Sequence, residues 1–549
     1  MYGVDTVDTR NPSLASHWAY LRARDGGLWI IPLMNASGPQ TSFAASAGTP
    51  YAAGAASEVF RAGGNAADAA VAAAAAVSVT EPLMSSIGGG GFALVRRADG
   101  AAEVVDYYDV MPGKGLPKSA FGAGGSPQSV TLKYGAGVES IVGGAAVSVP
   151  GSLRGWEALL ARHGRLGLRE ALAPAVRLAR EGFRLCRTSG LWFSVAEEVL
   201  RLTDETRRHF YSNGRVYREG EEMRFPELGD TLEAVGEEGA DLFYEEELAR
   251  TVSAYVLQME GILTETDLAE YQPVIREPLS VRYGAGEMYT NGPPSAGGPT
   301  LAQMLKVVSA YDLAAMPDEE YVTVMAGAMR LALEDRESQY LDGTRNDRVA
   351  ARLTGEEYAK TQRQRIFEGF GSPQTSHLSC VDADGLAVSI TASMGYGSGL
   401  VVPGTGIPLN NSLGEPELNP RGFHALDPGE RLVSSMSPTV VSSAEGGLVA
   451  LGSPGASRIP TAILQTLVNV LDLGMGVEEA VLAPRFHAEG DLFAYEDGGR
   501  SADLRRFGRV LPYEEPNMFF GGVNAVRLTT EGRFEAAADP RRSGGISFA

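Results

Sequence analysis

The sequence has little of three things that mark common classes of protein: cysteine, histidine and net positive charge. Its 549 residues include two cysteines, Cys186 and Cys380, too few for a disulfide framework or a cysteine-based zinc site. The six histidines show no metal-ligand spacing, so we expect no metal and no cofactor. With a formal net charge of −21, the chain offers no basic surface for phosphates. We therefore expect neither nucleic acid nor an anionic membrane as a partner.

Long apolar runs are also missing. The run from Leu28 to Leu33 is too short to span a membrane. Near the N-terminus, Asp5 and Asp8 stand where a signal peptide carries positive charge, and no long apolar segment follows them. These features predict a cytoplasmic protein. Residues 1–42 match no pattern and are interpreted as an arm or an extra edge element.

Hydrophobic residues make up 44% of the chain, and segments typical of strands and helices alternate without a regular βαβ repeat. This pattern favours an α+β fold. Ala66 to Val79, nearly all Ala and Val, predicts a helix packed between layers with Asn65 as its N-cap; a transmembrane helix is the alternative. The run Gly88 to Gly91 predicts close backbone packing at the start of a strand, since it lacks the Lys-Ser/Thr of a phosphate-binding loop.

The most informative stretch is a predicted β-hairpin. Residues 374–381 and 386–393 are rich in strand formers and flank Asp382-Ala383-Asp384-Gly385. A three-residue loop ending at Gly385 places Asp382 opposite Leu386 and Thr375 opposite Ser393. A loop shorter or longer by one residue would instead pair Thr375 with Ala392 or Met394. An ordinary polar hairpin without function is the other interpretation of this pattern.

Several further motifs follow in order. They are Gln374-Thr375-Ser376-His377, Leu409-Asn410-Asn411, the run from Arg431 to Thr439, and Gly452-Ser453-Pro454-Gly455-Ala456-Ser457-Arg458. Together they resemble the γ-glutamyltransferase family of N-terminal-nucleophile hydrolases, from about Phe43 to near the C-terminus. Many members of that family are exported, so the predicted cytoplasmic location is a departure.

The resemblance implies a four-layer αββα sandwich and an autocatalytic cut between Gln374 and Thr375. The cut would give a large subunit, residues 1–374, and a small subunit, residues 375–549, that stay together as a heterodimer. Thr375 would then supply both the nucleophilic hydroxyl and, through its new α-amine, the base. Ser393 would hold the Thr375 hydroxyl. Gly455 and Ala456 would form the oxyanion hole, provided that the φ angle of Ala456 is negative.

Substrate recognition departs from the family pattern. Tyr108 stands where the family commonly has an Arg that grips the α-carboxylate of a γ-glutamyl group, and Gly395 replaces a usual Asn. Glu415 replaces, in position, the acid that holds the α-amine. If Tyr108 does not face the carboxylate, Arg431 is the next candidate for a compensating cation. The full set of predicted substrate-binding residues is Tyr108, Thr391, Gly395, Asn410, Ser412, Glu415, Ser434 and Ser435.

Three functions remain open at this point. The first is a self-processed enzyme that hydrolyses γ-glutamyl amides such as glutathione through an acyl-enzyme, with water or an amino acid or peptide as the acceptor. The second is a related acylase whose substrate lacks the α-carboxylate. The third is an unprocessed, inactive binding protein on the same scaffold.

Overall fold

Two antiparallel β-sheets, packed face to face, form the centre of the molecule. The computed structural model describes residues 19–22, 28–31, 41–122, 128–132, 138–341, 347–363, 376–443 and 446–549. The first sheet has seven strands, in the spatial order Val274–Arg276, Ala102–Tyr107, Gly90–Arg96, Ala387–Ser393, Ser376–Asp382, Phe43–Ala47 and Gly545–Phe548. The second has six, in the order Leu279–Tyr283, Gly286–Thr290, Thr439–Ser443, Leu448–Gly452, Asn524–Leu528 and Phe534–Ala538.

Helices cover the outer face of each sheet. The layer on the first sheet is made of Pro50–Arg61, Ala66–Thr80, Ser152–His163 and Leu168–Glu181. The layer on the second sheet is made of Gly297–Val308, Asp318–Asp335, Arg458–Leu471 and Val477–Leu482. The order of layers is therefore helix, sheet, sheet, helix, which confirms the predicted α+β, four-layer αββα sandwich.

The remaining elements are shorter and surround this frame. The other helices are Arg187–Val195, Glu197–Leu200, Asp204–Phe210, Pro226–Glu238, Asp241–Tyr244, Glu247–Gln258, Glu265–Ala269, Asp347–Leu353 and Glu356–Arg363. Small sheets pair Ala19–Arg22 with Leu28–Ile31, Gln128–Leu132 with Val138–Val142, and Phe486–Glu489 with Leu492–Glu496 and Arg509–Tyr513. The first of these pairs falls in the predicted N-terminal arm and forms a sheet of its own.

Each space between layers has its own hydrophobic core. Between the two sheets the core includes Phe92, Leu94, Tyr108, Val440 and Val526. Because side chains alternate between the two faces of a strand, neighbouring residues belong to different cores. In the strand Ala387–Ser393, Val388 and Ile390 pack under the helical layer, whereas Ala387 packs between the sheets.

The helix Ala66–Thr80 is buried over its whole length, as predicted. Small side chains on every face let it lie between its neighbouring helices and the first sheet. Its N-terminus carries the predicted cap: the Asn65 side chain accepts from the N–H groups of Ala67 and Asp68. The buried carboxylate of Asp68 accepts in return from the N–H of Asn65, at 2.8 Å.

The strands Thr439–Ser443 and Leu448–Gly452 form a hairpin, because the turn at Gly446-Gly447 lets the second strand fold back on the first. The helix Asp318–Asp335 is followed by a π-helical turn, Arg336–Leu341. Among the residues that the structure describes, no helix is both long enough and apolar enough to cross a bilayer.

Asp68 joins the start of its helix to a neighbouring loop, which makes it a test of the helical layer. Its carboxylate also accepts from the backbone N–H groups of Arg165 and Leu166, each at 2.9 Å. Asp68→Ala would leave one buried and two partly buried donors unpaired, so we expect the free energy of unfolding to fall by about 2 kcal/mol or more. The control is Glu170→Gln, which alters the similar but exposed cap at Gly167 and should cost about 0.5 kcal/mol at most. Chemical denaturation measures both, and equal losses would contradict the assignment.

Candidate active site

The predicted hairpin has the predicted register. Ser376 pairs with Ala392, His377 with Thr391 and Val381 with Ala387. The loop has three residues and closes at Gly385, whose φ is +84°, where a glycine is favoured. Odd-numbered residues of both strands face the second sheet, since Ser389 Oγ donates to Leu451 O and Ser379 Oγ to Asn524 O. Gln374 and Thr375 lie outside the described residues; the register, continued by one pair, predicts Thr375 opposite Ser393.

A narrow cavity opens at the end of this hairpin, between the two sheets. We call it the Ser393 cavity. Its lining consists of Tyr108, Ser393, Glu415, Glu417, Leu418, Ser434, Ser435, Met436 and Ala456. The fold thus brings together six of the predicted site residues, which come from five separate parts of the sequence.

Ser393 is oriented by the turn that follows it. Its Oγ accepts a hydrogen bond from the N–H of Gly395, at 2.9 Å. A hydroxyl that accepts from a backbone N–H keeps its own proton for another acceptor. The glycine run packs directly behind Ser393, because a Cβ on Gly89 would lie 2.3 Å from the Ser393 carbonyl oxygen. This confirms the predicted role of the glycines in close backbone packing.

The turn at Gly455 and Ala456 presents two backbone N–H groups. Among the described residues, neither N–H donates to another protein group, which suits a site that stabilises a developing oxyanion. The condition of a negative φ at Ala456, which the sequence analysis set on the oxyanion hole, is not met: φ is +46° there and +124° at Gly455, and both N–H groups are presented from this positive-φ turn. An alanine in the left-handed region is strained. The chain is held in this conformation just beyond the turn, where Ser457 Oγ donates to Glu489 Oε2 at 2.7 Å.

Tyr108 is a buried, neutral wall of the cavity. Its ring stacks on Phe92 with centroids 5.3 Å apart. Burial raises the pKa of the Tyr108 phenol well above its ordinary value, and the carboxyl groups of Asp109 and Glu415 raise it further, whereas the hydroxyls of Ser434 and Ser412 lower it. The position at which the family commonly has an arginine therefore carries an uncharged hydroxyl.

The absence of a side chain at Gly395 and the position of the Glu415 carboxyl are related, because the two would occupy the same space. Gly395 has φ of +68°, and a Cβ there would lie 2.1 Å from Glu415 Oε1 and 2.2 Å from Asn411 Oδ1. The missing side chain thus makes room for the Glu415 carboxyl. Burial raises the pKa of Glu415 well above its ordinary value, and its buried Oε1 has no hydrogen-bond partner among the described residues. Both conditions disfavour the ionised acid that would hold an α-amine.

Four other predicted candidates are not in the lining of the cavity. Thr391 lies deeper between the sheets, where its Oγ1 is 2.8 Å from Nδ1 of His377. The Asn410 amide is used structurally, because its Nδ2 donates to Gly88 O and Ser148 O while its Oδ1 accepts from Ser148. Arg431 points away from the cavity and pairs with Asp106 at 3.2 Å. Ser412 stands behind Tyr108, and its hydroxyl donates to Asp109.

Sequence reasoning missed Glu417, Leu418 and Met436 in the lining, and Arg336 beside it. Arg336 Nη1 donates to Ser435 Oγ at 3.2 Å. Arg336 sits in an ordinary-looking helical segment rich in charge, so only its burial, a tertiary property, separates it from a surface residue.

One group outside the cavity has spacing that a metal could use. Glu205, His209 and Glu227 bring their ligand atoms within 4.8 Å of one another. The guanidinium of Arg208 already lies among them, with Nη2 2.5 Å from Glu205 Oε1 and 2.8 Å from Glu227 Oε2. We interpret the group as an ion-pair network in which arginine supplies the positive charge.

Comparison with known proteins now decides the family. The gamma-glutamyltranspeptidase family model matches residues 52–549. This chain belongs to that family.

Relatives within the gamma-glutamyltranspeptidase family carry different names. A glutathione hydrolase proenzyme of Escherichia coli is 30% identical, over 88% of each chain. An Acylase ACY 1 proenzyme of Pseudomonas sp. is 32% identical, over 90% of this chain and 91% of its own. Among solved structures, cephalosporin acylase from Bacillus halodurans superposes with a TM-score of 0.81 at 28% identity, covering 94% of this chain and 99% of its own. The protein is therefore an N-terminal-nucleophile hydrolase that acts on amide bonds.

The buried carboxyl of Asp109 should make the stability of the folded protein depend on pH. Burial raises the pKa of its carboxyl from 3.8 to about 7, against the lowering effects of Ser412, Ser148 and Arg431. In the unfolded chain the group ionises near pH 4, while the native protein keeps the proton to about pH 7. Native protein thus binds more protons over this range, and its stability falls as the pH rises, by at most about 1.4 kcal/mol per unit.

Asp109→Asn removes this titration. We therefore expect the free energy of unfolding of the variant, relative to that of the wild type, to increase between pH 4 and pH 7. Above pH 7 the difference between the two should stay constant. Denaturation curves across this range measure the difference. Asp384→Asn, in the exposed hairpin loop, is the control and should show no such gain. Parallel curves for Asp109→Asn and the wild type over the whole range would refute the prediction.

Proposed function

We propose that this protein is a self-processing amide hydrolase whose nucleophile is Thr375, freed as an N-terminal residue by cleavage after Gln374. The observation that carries the proposal is the hairpin register together with the Ser393 cavity. Continued by one pair, the register would bring Thr375 opposite Ser393, with its side chain toward the space between the sheets. Ser393 and Ala456 line the cavity at that end of the hairpin.

The chemistry follows from these groups. The Thr375 hydroxyl attacks the carbonyl carbon of an amide, and its proton passes to the neutral α-amine of the same residue. The N–H groups of Gly455 and Ala456 donate to the oxyanion of the tetrahedral intermediate. The intermediate collapses, the amine product leaves with the proton, and an ester of Thr375 remains. Water hydrolyses this ester, or an amino acid or peptide takes the acyl group. In self-cleavage the Thr375 hydroxyl would attack the carbonyl carbon of Gln374, and the C–N bond would break to leave an ester and the new α-amine. Because that nitrogen is still an amide before the cut, the hydroxyl proton would pass through water to the departing nitrogen, and a second water would hydrolyse the ester.

Self-processing is tested by intact-mass analysis of the purified protein. We expect two fragments, residues 1–374 and 375–549, to form at neutral pH. Thr375→Ala should stay full-length and inactive because it has no hydroxyl, whereas Thr375→Ser should cleave, more slowly. Ser379→Ala, a hydroxyl deeper in the same strand, is the control and should cleave like the wild type. Wild type that stays full-length after long incubation would argue instead for an inactive binding protein.

For the acyl group, the cavity favours the acylase alternative over a γ-glutamyl substrate. A γ-glutamyl group needs a cation for its α-carboxylate and an anion for its α-amine. At the corresponding positions stand Tyr108, a buried phenol without a charge, and Glu415, a carboxyl whose burial disfavours the charged form. The relatives named glutathione hydrolase, and the retained Ser434 and Ser435, support γ-glutamyl amides as the second candidate.

Tyr108→Arg tests this choice. If Tyr108 faces the place of an α-carboxylate, the new cation should lower KM for a γ-glutamyl anilide about ten- to hundredfold, with kcat changed less. KM for a 4-aminobutanoyl anilide, which lacks the α-carboxylate, should stay within about threefold. Tyr108→Phe keeps the packing against Phe92 without a charge and is the matched control. Equal effects on both substrates, or a low KM of the wild type for the γ-glutamyl anilide, would show that Tyr108 does not determine this selectivity.

A further inference from the structure

The helix Arg458–Leu471 begins immediately after the turn that presents the N–H groups of Gly455 and Ala456. Ser457 is its N-cap residue, and serine is favoured at this position because its hydroxyl ordinarily accepts from N–H groups of the first turn. The Ser457 side chain makes no such bond. Its Oγ instead donates to Glu489 Oε2, at 2.7 Å. The hydroxyl of this serine therefore holds the turn and does not cap the helix.

Other polar cap residues of the chain behave in the ordinary way. The side chains that accept from the N–H groups of their own helix are those of Thr49, Asn65, Thr203 and Thr264. None of these four directly follows a residue of the cavity lining, whereas Ser457 directly follows Ala456. The departure from an ordinary cap thus occurs at the residue next to the strained alanine.

Glu489 is fully buried and is held from a second side. Its Oε2 also lies 2.6 Å from His487 Nε2, and His487 Nδ1 lies 3.0 Å from Thr461 Oγ1. Glu489 and His487 are two residues apart in the strand Phe486–Glu489, so both side chains project from the same face of the strand. Burial lowers the pKa of His487, and a neutral imidazole that donates through Nε2 accepts at Nδ1. The Glu489 Oε2 atom therefore accepts two hydrogen bonds, from Ser457 and from His487.

Gln465 fixes this strand to the helix that follows the turn. Its Nε2 donates to Phe486 O at 2.9 Å, and its Oε1 accepts from the Phe486 N–H at 3.1 Å. The strand that carries Glu489 thus cannot shift along the helix without breaking both bonds. Before the turn, Ser453 provides another anchor, because its Oγ accepts from the N–H of Gly522 at 3.0 Å. The turn is consequently held on both sides.

We propose that Ser457 and Glu489 are positioning residues of the oxyanion hole. An alanine in the left-handed region keeps that conformation only where its surroundings hold it. Relaxation of Ala456 to a negative φ would rotate the peptide group that carries its N–H, and the bond from Ser457 to Glu489 opposes this rotation. Stabilisation of a developing oxyanion depends on donors that are fixed before the reaction. The inference rests on the proposed amide hydrolysis and names the groups that keep its oxyanion donors in place.

The kinetic test uses Ser457→Ala, Glu489→Ala and Glu489→Gln. It measures kcat and KM on whichever anilide the wild type hydrolyses faster, γ-glutamyl or 4-aminobutanoyl, with kcat referred to the cut fraction found by intact mass. Both alanine variants should lower kcat about ten- to hundredfold, less than outright removal of a donor, and leave KM within about threefold. Glu489→Gln should keep kcat within about fivefold of the wild type, because one amide oxygen can accept from both Ser457 and His487.

A double variant shows whether the two residues act as one unit. Because either single change already breaks their hydrogen bond, Ser457→Ala combined with Glu489→Ala should lower kcat by no more than about threefold beyond the slower single variant. The matched control is Thr466→Val, which removes a buried hydroxyl that donates to Ala462 O further along the same helix. It should keep kcat within about threefold of the wild type. Losses that multiply in the double variant, or a loss in Thr466→Val equal to that of the alanine variants, would overturn the proposal.

A binding measurement reads the oxyanion hole without turnover. With 3-aminopropylboronic acid, the Thr375 hydroxyl oxygen bonds to boron, its proton passes to the α-amine, and the product is a tetrahedral borate anion. The planar counterpart is 4-aminobutanamide, which carries no developing charge. Calorimetry should show Ser457→Ala binding the boronic acid about ten- to hundredfold more weakly than the wild type does, with the affinity for the amide within about threefold. Equal weakening for both probes, or an unchanged boronic acid affinity, would contradict the proposal.

Hydrogen exchange tests the anchor in cut and uncut protein alike. Mass spectrometry of a peptide that contains residues 453–458 should show exchange at least about fivefold faster in Ser457→Ala than in the wild type, and unchanged exchange in Thr466→Val. Exchange that is the same in Ser457→Ala and the wild type would overturn the proposal. Failure of the proposed function would appear separately, as uncut wild type that hydrolyses neither anilide.

Discussion

Antiparallel pairing between Ser376–Asp382 and Ala387–Ser393 is the constraint on which the rest of the site depends. In a strand, side chains alternate between two faces, so a slip of one residue would turn Ser393 from the space between the sheets toward the helix Ala66–Thr80. The loop closed by Gly385 prevents that slip. The alanine-rich helix supports the pair from behind, and the small residues along it let the backbones approach closely.

Exclusion of water from the space between the two sheets is the second determinant of the site. Inside the stack, a carboxyl group finds too few polar partners to stay ionised, and Asp109 and Glu415 consequently keep their protons at pH values where exposed acids have lost them. Tyr108 is neutral for the same reason. The lining around Ser393 therefore carries hydroxyls and a Glu415 carboxyl whose burial disfavours the charged form, and the guanidinium of Arg336 donates to Ser435. Selectivity for substrates in such a cavity depends on the positions of the few side chains that remain charged.

The parts of this structure that the sequence predicts are local. The hairpin register follows from a turn and two flanking runs, and the helix that begins after Asn65, with its cap, follows from a pattern within a few residues. The parts that it does not predict depend on distant contacts. Asn410 looks like a ligand until Gly88 and Ser148 are seen to use both of its amide donors. The positive φ of Ala456 is imposed by the turn and its anchored neighbours, and Arg336 is identified as part of the site only by the layers that bury it.

The order of strands has a consequence for a chain cut before Thr375. Each of the two large sheets combines strands from residues 1–374 with strands from residues 375–549. The two pieces would be interleaved, and neither could leave without breaking hydrogen bonds along several strand edges at once. Once apart, however, they would have to find each other by diffusion, because the covalent link that kept them at a high local concentration would be gone. Assembly would thus be easy before the cut and concentration-dependent after it, so the finished molecule would persist because it comes apart slowly.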